Sequence, residues 1–122
     1  QTLYKFLTPI DNLQILTKYS NTNHTTSNII NALKFFSLHN FSNVPCYELS
    51  TGQCQKVFLT QLLLTEAQIF LLDEPFLYLD EQGIFLTKSL IITLLFKKNK
   101  HIVITTHSVI EELLEYSVIL HL

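Results

Sequence analysis

The sequence contains no arginine, methionine or tryptophan, and among its 122 residues there are only two glycines, three prolines and two cysteines. All eight basic side chains are lysines and the formal net charge is −2, so the overall charge gives no indication of a nucleic-acid partner. Cys46 and Cys54 have no second cysteine pair and no flanking histidine at ligand spacing. This pattern predicts reduced thiols and indicates neither a zinc site nor a disulfide framework.

Long uncharged apolar runs are also missing. The most apolar segments are interrupted by Glu66, Asp73, Glu74 and Lys88. A membrane-spanning helix needs roughly 18 to 20 consecutive apolar residues. We therefore expect no transmembrane segment in this sequence.

Apolar spacing divides the chain into a helical first part and an alternating second part. The predicted helices cover approximately residues 9–19, 28–38, 50–65, 81–97 and 108–114. The predicted strands cover 69–72, 101–105 and 117–122. The first two strands are continuous apolar runs, which is typical of strands buried on both faces. Alternation of helix and strand predicts an α/β fold with a parallel sheet.

Small and polar residues precede the third predicted helix. The segment Leu49-Ser50-Thr51-Gly52-Gln53 places Ser50 at the cap position and Gln53 three residues later, which is the pattern of a capping box. The free N–H groups and the dipole of a helix start attract phosphate, and small side chains let the backbone come close. Taken alone, these five residues fit an ordinary capped helix better than an anion site.

Two acidic residues follow the first predicted strand. Asp73 and Glu74 come directly after the run 69–72, at the edge where open parallel sheets bind ligands. An aspartate there can hold Mg²⁺ through water, and the next glutamate can orient or deprotonate an attacking water. A solvated acidic turn fits one such pair equally well. Asp80 a few residues later, and His107 after the second predicted strand, favour the chemical interpretation.

Together these segments resemble the ATP-binding subunits of ABC transporters. Residues 49–53 are similar to the family signature LSGGQ, residues 69–74 to the Walker B strand with its catalytic glutamate, and residues 78–80 to the D-loop. His107 is similar to the switch histidine. The resemblance covers nearly the whole chain, and its combined motifs are specific.

The resemblance implies a P-loop NTPase-like parallel sheet with a helical subdomain. It assigns residues 1–48 to the helical subdomain and a linker, and residues 49–122 to the part of the ATPase core that holds the signature helix, Walker B, the D-loop and the switch histidine. The family's phosphate loop has no counterpart here, because it needs two closely spaced glycines and the chain has only Gly52 and Gly83. We therefore expect the chain to be the second half of a longer domain and to be inactive by itself.

The resemblance also implies a head-to-tail dimer that encloses two ATP molecules, each between the phosphate loop of one subunit and the signature of the other. It implies that Glu74 and His107 are catalytic and that Asp73 holds Mg²⁺ through water. The remaining residues that it assigns to ATP binding are Ser50, Thr51, Gly52, Gln53 and Asp80. Thr51 replaces the usual Gly, Ala or Ser of the signature, and its branched side chain weakens the expected contact with phosphate.

The implied function is that of an ATP-hydrolysing subunit that drives a membrane transporter. The segments Asn43-Val44-Pro45 and LDEPFLYLDEQG most resemble the branch of the family that serves haem export and cytochrome c maturation. The implied partners are integral-membrane subunits and a second ATP-binding subunit, in a homodimer, and not nucleic acid. Residues with AT-rich codons dominate the composition, which favours the matrix face of the mitochondrial inner membrane over the cytoplasmic face of a bacterial inner membrane.

Two other interpretations stay open at this stage. One is a degenerate, non-catalytic adaptor that docks on membrane subunits through its helical part. The other is the DNA-repair branch of the ABC ATPases, which shares the signature and Walker B. That branch normally carries a long coiled coil and basic DNA-facing surfaces, and the sequence shows neither.

Overall fold

The computed structural model describes residues 3–18 and 23–107, which form a helical part followed by a small α/β part. Within these residues the helices and strands are α1 Pro9–Leu16, α2 Thr26–Leu33, α3 Thr51–Thr60, β1 Ile69–Asp73, α4 Glu81–Phe96 and β2 His101–Thr105. Short 3₁₀ helices cover Lys34–Phe36, His39–Phe41, Cys46–Glu48 and Gln61–Leu63. The helix predicted at 108–114 and the strand predicted at 117–122 lie outside the described residues.

Both α1 and α2 start at a threonine capping box. The hydroxyl of Thr8 accepts a hydrogen bond from the backbone nitrogen of Asp11 at 3.2 Å, and the Asp11 carboxylate accepts one from the Thr8 nitrogen at 3.4 Å. Pro9 occupies the first helical turn, where it loses no needed donor. Thr25 and Asn28 repeat the arrangement at the start of α2. The sequence predicts that the first helix begins at about residue 9, and this start is confirmed.

The same two helices end earlier than the apolar spacing predicts. α1 ends at Leu16, where Thr17 adopts φ −103° and ψ 6° and its hydroxyl donates to the carbonyl of Leu13 at 2.7 Å. α2 ends at Leu33 and continues as a 3₁₀ helix, which stops at Ser37 with a left-handed φ of 59°. An apolar pattern that suits an α-helix also suits a short 3₁₀ extension, so spacing alone did not locate these ends.

One apolar core joins the helices to the sheet. Leu13 of α1, Leu33 of α2, Val57 of α3 and Ile91 of α4 are all exposed by 1% or less. They belong to the same cluster as Phe70 and other side chains on one face of the sheet. The helical part and the inner face of the sheet therefore share a single hydrophobic core.

The strands β1 and β2 lie side by side in parallel, with α4 as the connection between them, and Asp73 pairs with Thr105 in the register. The prediction of parallel pairing is confirmed. The prediction that β1 and β2 are buried on both faces is wrong, since Val103 of β2 is 52% exposed. Leu72 on the inner face is 4% exposed, whereas Leu71 on the outer face is 74% exposed. The reason is that, among the described residues, the apolar cluster covers only one side of a two-stranded sheet.

The two cysteines are free thiols near the start of α3. Burial, together with the neighbouring thiol of Cys54, raises the pKa of Cys46 to about 11 against the effect of a hydrogen bond from Asn12. Burial also raises the pKa of Cys54, although Lys5 acts in the opposite direction. Because the thiolate is the reactive form, both groups are poor nucleophiles at neutral pH.

Candidate functional site

The carboxyl ends of β1 and β2 meet at one edge of the sheet. The hydroxyl of Thr105, at the end of β2, donates to Oδ1 of Asp73 at 2.5 Å. The backbone nitrogen of Glu74 donates to the carbonyl of Thr105 at 2.7 Å and extends the pairing by one bond. The sequence predicted that the acidic pair and the segment ending in His107 lie at the same edge, and the register confirms this placement.

The carboxylate of Glu74 is held by the two residues that follow β2. Its Oε1 accepts a hydrogen bond from the backbone nitrogen of His107 at 2.7 Å, and its Oε2 accepts one from the hydroxyl of Thr106 at 3.2 Å. The ring nitrogen Nε2 of His107 lies 3.6 Å from the same Oε1. The His107 side chain is fully exposed, and that of Glu74 is 24% exposed. A carboxylate fixed by two donors and open to solvent can orient a water molecule or accept its proton.

The backbone of Glu74 is in an unusual conformation. Its φ is 47°, in the left-handed region, which costs a non-glycine residue about 1–2 kcal/mol. The side-chain amide of Gln55, on α3, donates to the carbonyl of Glu74 at 3.3 Å and to that of Pro75 at 3.0 Å. Gln55 was not predicted as a site residue from the sequence. Its partners lie about twenty residues away along the chain, so no local pattern points to it.

The capping box at the start of α3 is confirmed. Oγ of Ser50 accepts a hydrogen bond from the backbone nitrogen of Gln53 at 3.1 Å, and Oε1 of Gln53 accepts one from the Ser50 nitrogen at 2.9 Å. Ser50 and Thr51 are exposed. The capping box does not use the N–H groups of Thr51 and Gly52, which point out of the first turn and suit an anionic ligand.

Gly52 is required by the local packing. A Cβ at this position would lie 2.7 Å from the backbone carbonyl oxygen of Tyr78. Tyr78 itself has a left-handed φ of 65° and lies between β1 and α4. The first turn of α3 therefore packs directly against the segment that leads from Glu74 to α4.

Asp80 caps α4 and forms an ion pair with α3. Its Oδ1 accepts a hydrogen bond from the backbone nitrogen of Gly83 at 2.8 Å and lies 3.4 Å from Nζ of Lys56. The hydrogen bond from Gly83, aided by the charge of Lys56, holds the pKa of the Asp80 carboxyl below its ordinary value. The side chain of Asp80 is 65% exposed, so it is accessible from outside the chain. Lys56, like Gln55, was not predicted as a residue of this region from the sequence.

The acidic residues at the sheet edge fit one mode of Mg²⁺ binding. Within the described residues no group of three or more His, Cys, Asp or Glu side chains could hold a metal ion by itself. Mg²⁺ is, however, commonly held by one or two carboxylates together with water and substrate phosphates. Asp73 is exposed and has one carboxylate oxygen engaged by Thr105. Its other oxygen fits a water-mediated contact of this kind.

Comparisons with a family model and with curated proteins give the same result. The ABC transporter family model matches residues 2–77. The cytochrome c biogenesis ATP-binding export protein CcmA of Pseudomonas savastanoi pv. phaseolicola is 43% identical over 82 residues, which is 67% of this chain and 38% of that protein. The taurine import ATP-binding protein TauB of Pelagibacter ubique is 32% identical over 114 residues, 92% of this chain and 43% of that protein. The chain spans about two fifths of the length of these curated relatives.

Solved structures show the same architecture. The dimeric post-hydrolysis state of an ATP-binding cassette bound to ADP and Pi matches with a TM-score of 0.75 and 25% identity. The match covers 87% of this chain and 48% of the cassette. The predicted fold class, an α/β ATPase cassette with a parallel sheet and a helical subdomain, is thereby confirmed. In the part of the chain that the structure describes, no helix is long and apolar enough to span a bilayer.

Proposed function

This chain belongs to the ABC transporter family, and from that premise we propose that it forms the second part of an ATP-hydrolysing transporter subunit. The observation that carries the proposal is the Glu74 carboxylate, fixed by Thr106 and His107 beside Asp73. The family's phosphate loop would lie upstream, in the part of the relatives that this chain does not span. Residues 1–48 would form the helical subdomain with its linker, and residues 49–122 the second part of the ATPase core.

At the sheet edge we assign the hydrolytic step to two residues. Glu74 orients the attacking water and accepts its proton, and the exposed ring of His107 contacts the edge of the γ-phosphate. Asp73 would hold Mg²⁺ through water. The ion, when bound, supplies positive charge to the phosphate oxygens. The hydrogen bonds from Thr106 and from the backbone of His107 support this assignment, because they keep the Glu74 carboxylate in one orientation.

The start of α3 would act on the ATP held by a second ATP-binding subunit. Ser50, Thr51, Gly52 and Gln53 surround an exposed helix start that suits a phosphate group. Asp80 would link the two ATP sites from its exposed position at the start of α4. The homodimer is supported by the dimeric, ADP-bound cassette to which this chain is similar.

Turnover of ATP tests the first part of the proposal. In the full-length protein that carries this sequence, Glu74→Gln is expected to lower kcat by about 10²-fold or more and to leave the affinity for ATP within about twofold, since the amide keeps the shape of the side chain but cannot take a proton. Glu66→Gln, at an exposed position three residues before the start of β1, is the matched control. Unchanged turnover in Glu74→Gln would reject the role of Glu74.

We further propose that the transporter serves cytochrome c maturation, with haem export as its transport role. The support is the similarity to CcmA over two thirds of this chain. The partners would then be integral-membrane subunits, and the protein would lie peripherally on the inner membrane, facing the bacterial cytoplasm or, in an organelle, the mitochondrial matrix. Because TauB is also similar, the transported substrate needs its own test.

That test is complementation of a bacterial strain that lacks CcmA. The full-length protein is expected to restore cytochrome c with covalently bound haem, measured by haem staining and absorbance, whereas its Glu74→Gln variant is not. An active ATPase that fails to restore cytochrome c would separate the assignment to cytochrome c maturation from the assignment as an ATPase.

A non-catalytic adaptor that docks on membrane subunits is the second candidate function. The observation that favours it is Thr51, whose side chain is branched and exposed at the helix start where phosphate would approach. An adaptor would bind its membrane partners without ATP turnover, and Thr51→Gly would leave ATP binding unchanged. A gain in ATP affinity with Thr51→Gly would instead indicate a weakened but genuine nucleotide site.

A further inference from the structure

We infer that Gln55 is a positioning residue for Glu74: its amide fixes the peptide after Glu74 and so directs the carboxylate toward His107. The inference rests on the proposed role of Glu74 in ATP hydrolysis. Gln55 lies on the second turn of α3, and its Nε2 donates to two successive carbonyls, those of Glu74 at 3.3 Å and Pro75 at 3.0 Å.

The need for such a contact follows from the backbone of Glu74. With φ at 47° the chain turns sharply after β1, and a left-handed glutamate persists only where its surroundings hold it. Three contacts from β2 and its extension hold one side of the residue: its nitrogen binds Thr105, and its carboxylate binds Thr106 and His107. On the opposite side, the carbonyl of Glu74 accepts hydrogen bonds from the backbone nitrogen of Leu77 at 3.2 Å and from the amide of Gln55 at 3.3 Å. The Leu77 bond lies within the turn, and the Gln55 bond is the one that ties this peptide to α3.

The same helix contacts the segment after Glu74 at two further points. Gly52 lies against the carbonyl of Tyr78, and Lys56 pairs with Asp80. The helix that presents its exposed start at Ser50 thus also carries the residues that hold the segment 74–80. Because Gln55 contacts Glu74 itself, whereas Lys56 contacts Asp80, loss of the Gln55 amide should affect turnover more directly than loss of Lys56.

The test is Gln55→Met in the full-length protein. Methionine keeps the length and helix propensity of the side chain but donates no hydrogen bond. We expect kcat to fall by about tenfold while the KM for ATP stays within about twofold, because a small displacement of a catalytic group lowers the rate of the chemical step. Gln61→Met, directly after the end of α3, is the matched control and should leave kcat unchanged.

A double-mutant cycle distinguishes positioning from a general loss of stability. If Gln55 acts through Glu74, Gln55→Met is expected to change the residual single-turnover rate of Glu74→Gln by less than about twofold. An equal tenfold loss in both backgrounds would overturn the inference. So would wild-type turnover in Gln55→Met.

A crystal structure of the Gln55→Met variant gives a readout that does not depend on activity. The distance from Oε1 of Glu74 to the backbone nitrogen of His107, which is 2.7 Å here, is expected to lengthen beyond hydrogen-bond range as φ of Glu74 relaxes. An unchanged contact would overturn the inference. If the full-length protein shows no ATP turnover at all, the proposed function fails, and this distance still decides whether Gln55 positions Glu74.

Discussion

The helical part and the sheet edge of this chain are built in opposite ways. In the helical part, Leu13, Ile29 and Leu33 have no exposed surface. At the sheet, Leu71 on the outer face is 74% exposed, and the polar groups at the edge are reached directly by solvent. One region is stabilised mainly by apolar packing, and the other is organised by hydrogen bonds to a few polar groups.

Backbone strain is distributed in the same unequal way. Among the described residues, left-handed φ angles of non-glycine residues occur at Glu74, Tyr78 and Asn99 in the α/β part, and at Ser37 in the helical part. Glu74 and Tyr78 lie in the single segment between β1 and α4. Strained residues persist where surrounding contacts hold them and are frequent at functional sites. Apolar packing of the helical part therefore stabilises the chain, and the strained backbone at Glu74 and Tyr78 persists within that stable fold.

The largest expected effect is the loss of ATP turnover when His107, at the carboxyl edge of the sheet, is replaced. In the full-length protein, His107→Ala should lower kcat by about 10²-fold and leave the free energy of unfolding within about 0.5 kcal/mol, because the ring is fully exposed. The backbone N–H that binds Glu74 remains in this variant. His101→Ala, at the other end of β2, is the control. A loss of stability that matches the loss of activity would contradict the distinction between the two regions.

The two faces of β1 provide the next test. Leu72→Ala should destabilise this chain by about 2–4 kcal/mol, because it leaves a cavity in the core. Leu71→Ala, one residue earlier, should change the stability by no more than about 0.5 kcal/mol. Urea unfolding of the two variants measures the difference. Equal losses would mean that the outer face is covered in solution.

A smaller effect is expected where the start of α3 packs against the segment between β1 and α4. Gly52→Ala forces a Cβ to within 2.7 Å of the Tyr78 carbonyl. The resulting overpacking should cost about 1–3 kcal/mol, reduced by up to about 1 kcal/mol through the higher helix propensity of alanine. Thr51→Ala, at the adjacent exposed position, should be close to neutral. The urea midpoints of both variants test this prediction. Equal midpoints would show that the segment around Tyr78 moves away from the new Cβ without a measurable loss of stability.

The smallest effect concerns the charge of Asp80. Its pKa is lowered in the folded chain, chiefly by the hydrogen bond from Gly83. A lowered folded pKa means that the ionised group stabilises the fold above its unfolded pKa, near 4, and that this contribution is lost as the pH falls through the folded pKa. Asp80→Asn keeps a capping side chain without the charge. Its deficit in urea midpoint at pH 7 should therefore shrink toward pH 3; a constant deficit would exclude the charge as its cause.

Features that depend on residues close together in the sequence could be predicted. The helix starts at Thr8 and Ser50 depend on residues three positions apart, and both capping boxes are present. The meeting of Asp73 with the segment after β2 followed from parallel pairing alone, since the carboxyl ends of parallel strands share one edge. The roles of these residues in ATP hydrolysis stay predictions until turnover is measured.

Features that depend on distant packing could not be predicted. The contacts of Gln55 with Glu74 and of Lys56 with Asp80 join residues about twenty or more positions apart, through the way α3 lies on the segment after β1. A short apolar run such as 69–72 also does not indicate which of its faces is covered, because either face can meet a helix. The exposed side of β1 was missed for that reason.

The protonated state of Cys46 and Cys54 has a practical consequence for spectroscopy. These are the only cysteines in the sequence, and their raised pKa values slow alkylation by maleimide reagents near pH 7. A cysteine introduced at the exposed position of Leu71 should therefore take up a fluorophore or spin label well before either native thiol does. Distance measurements on the outer face of the sheet could then be made without removing the native cysteines.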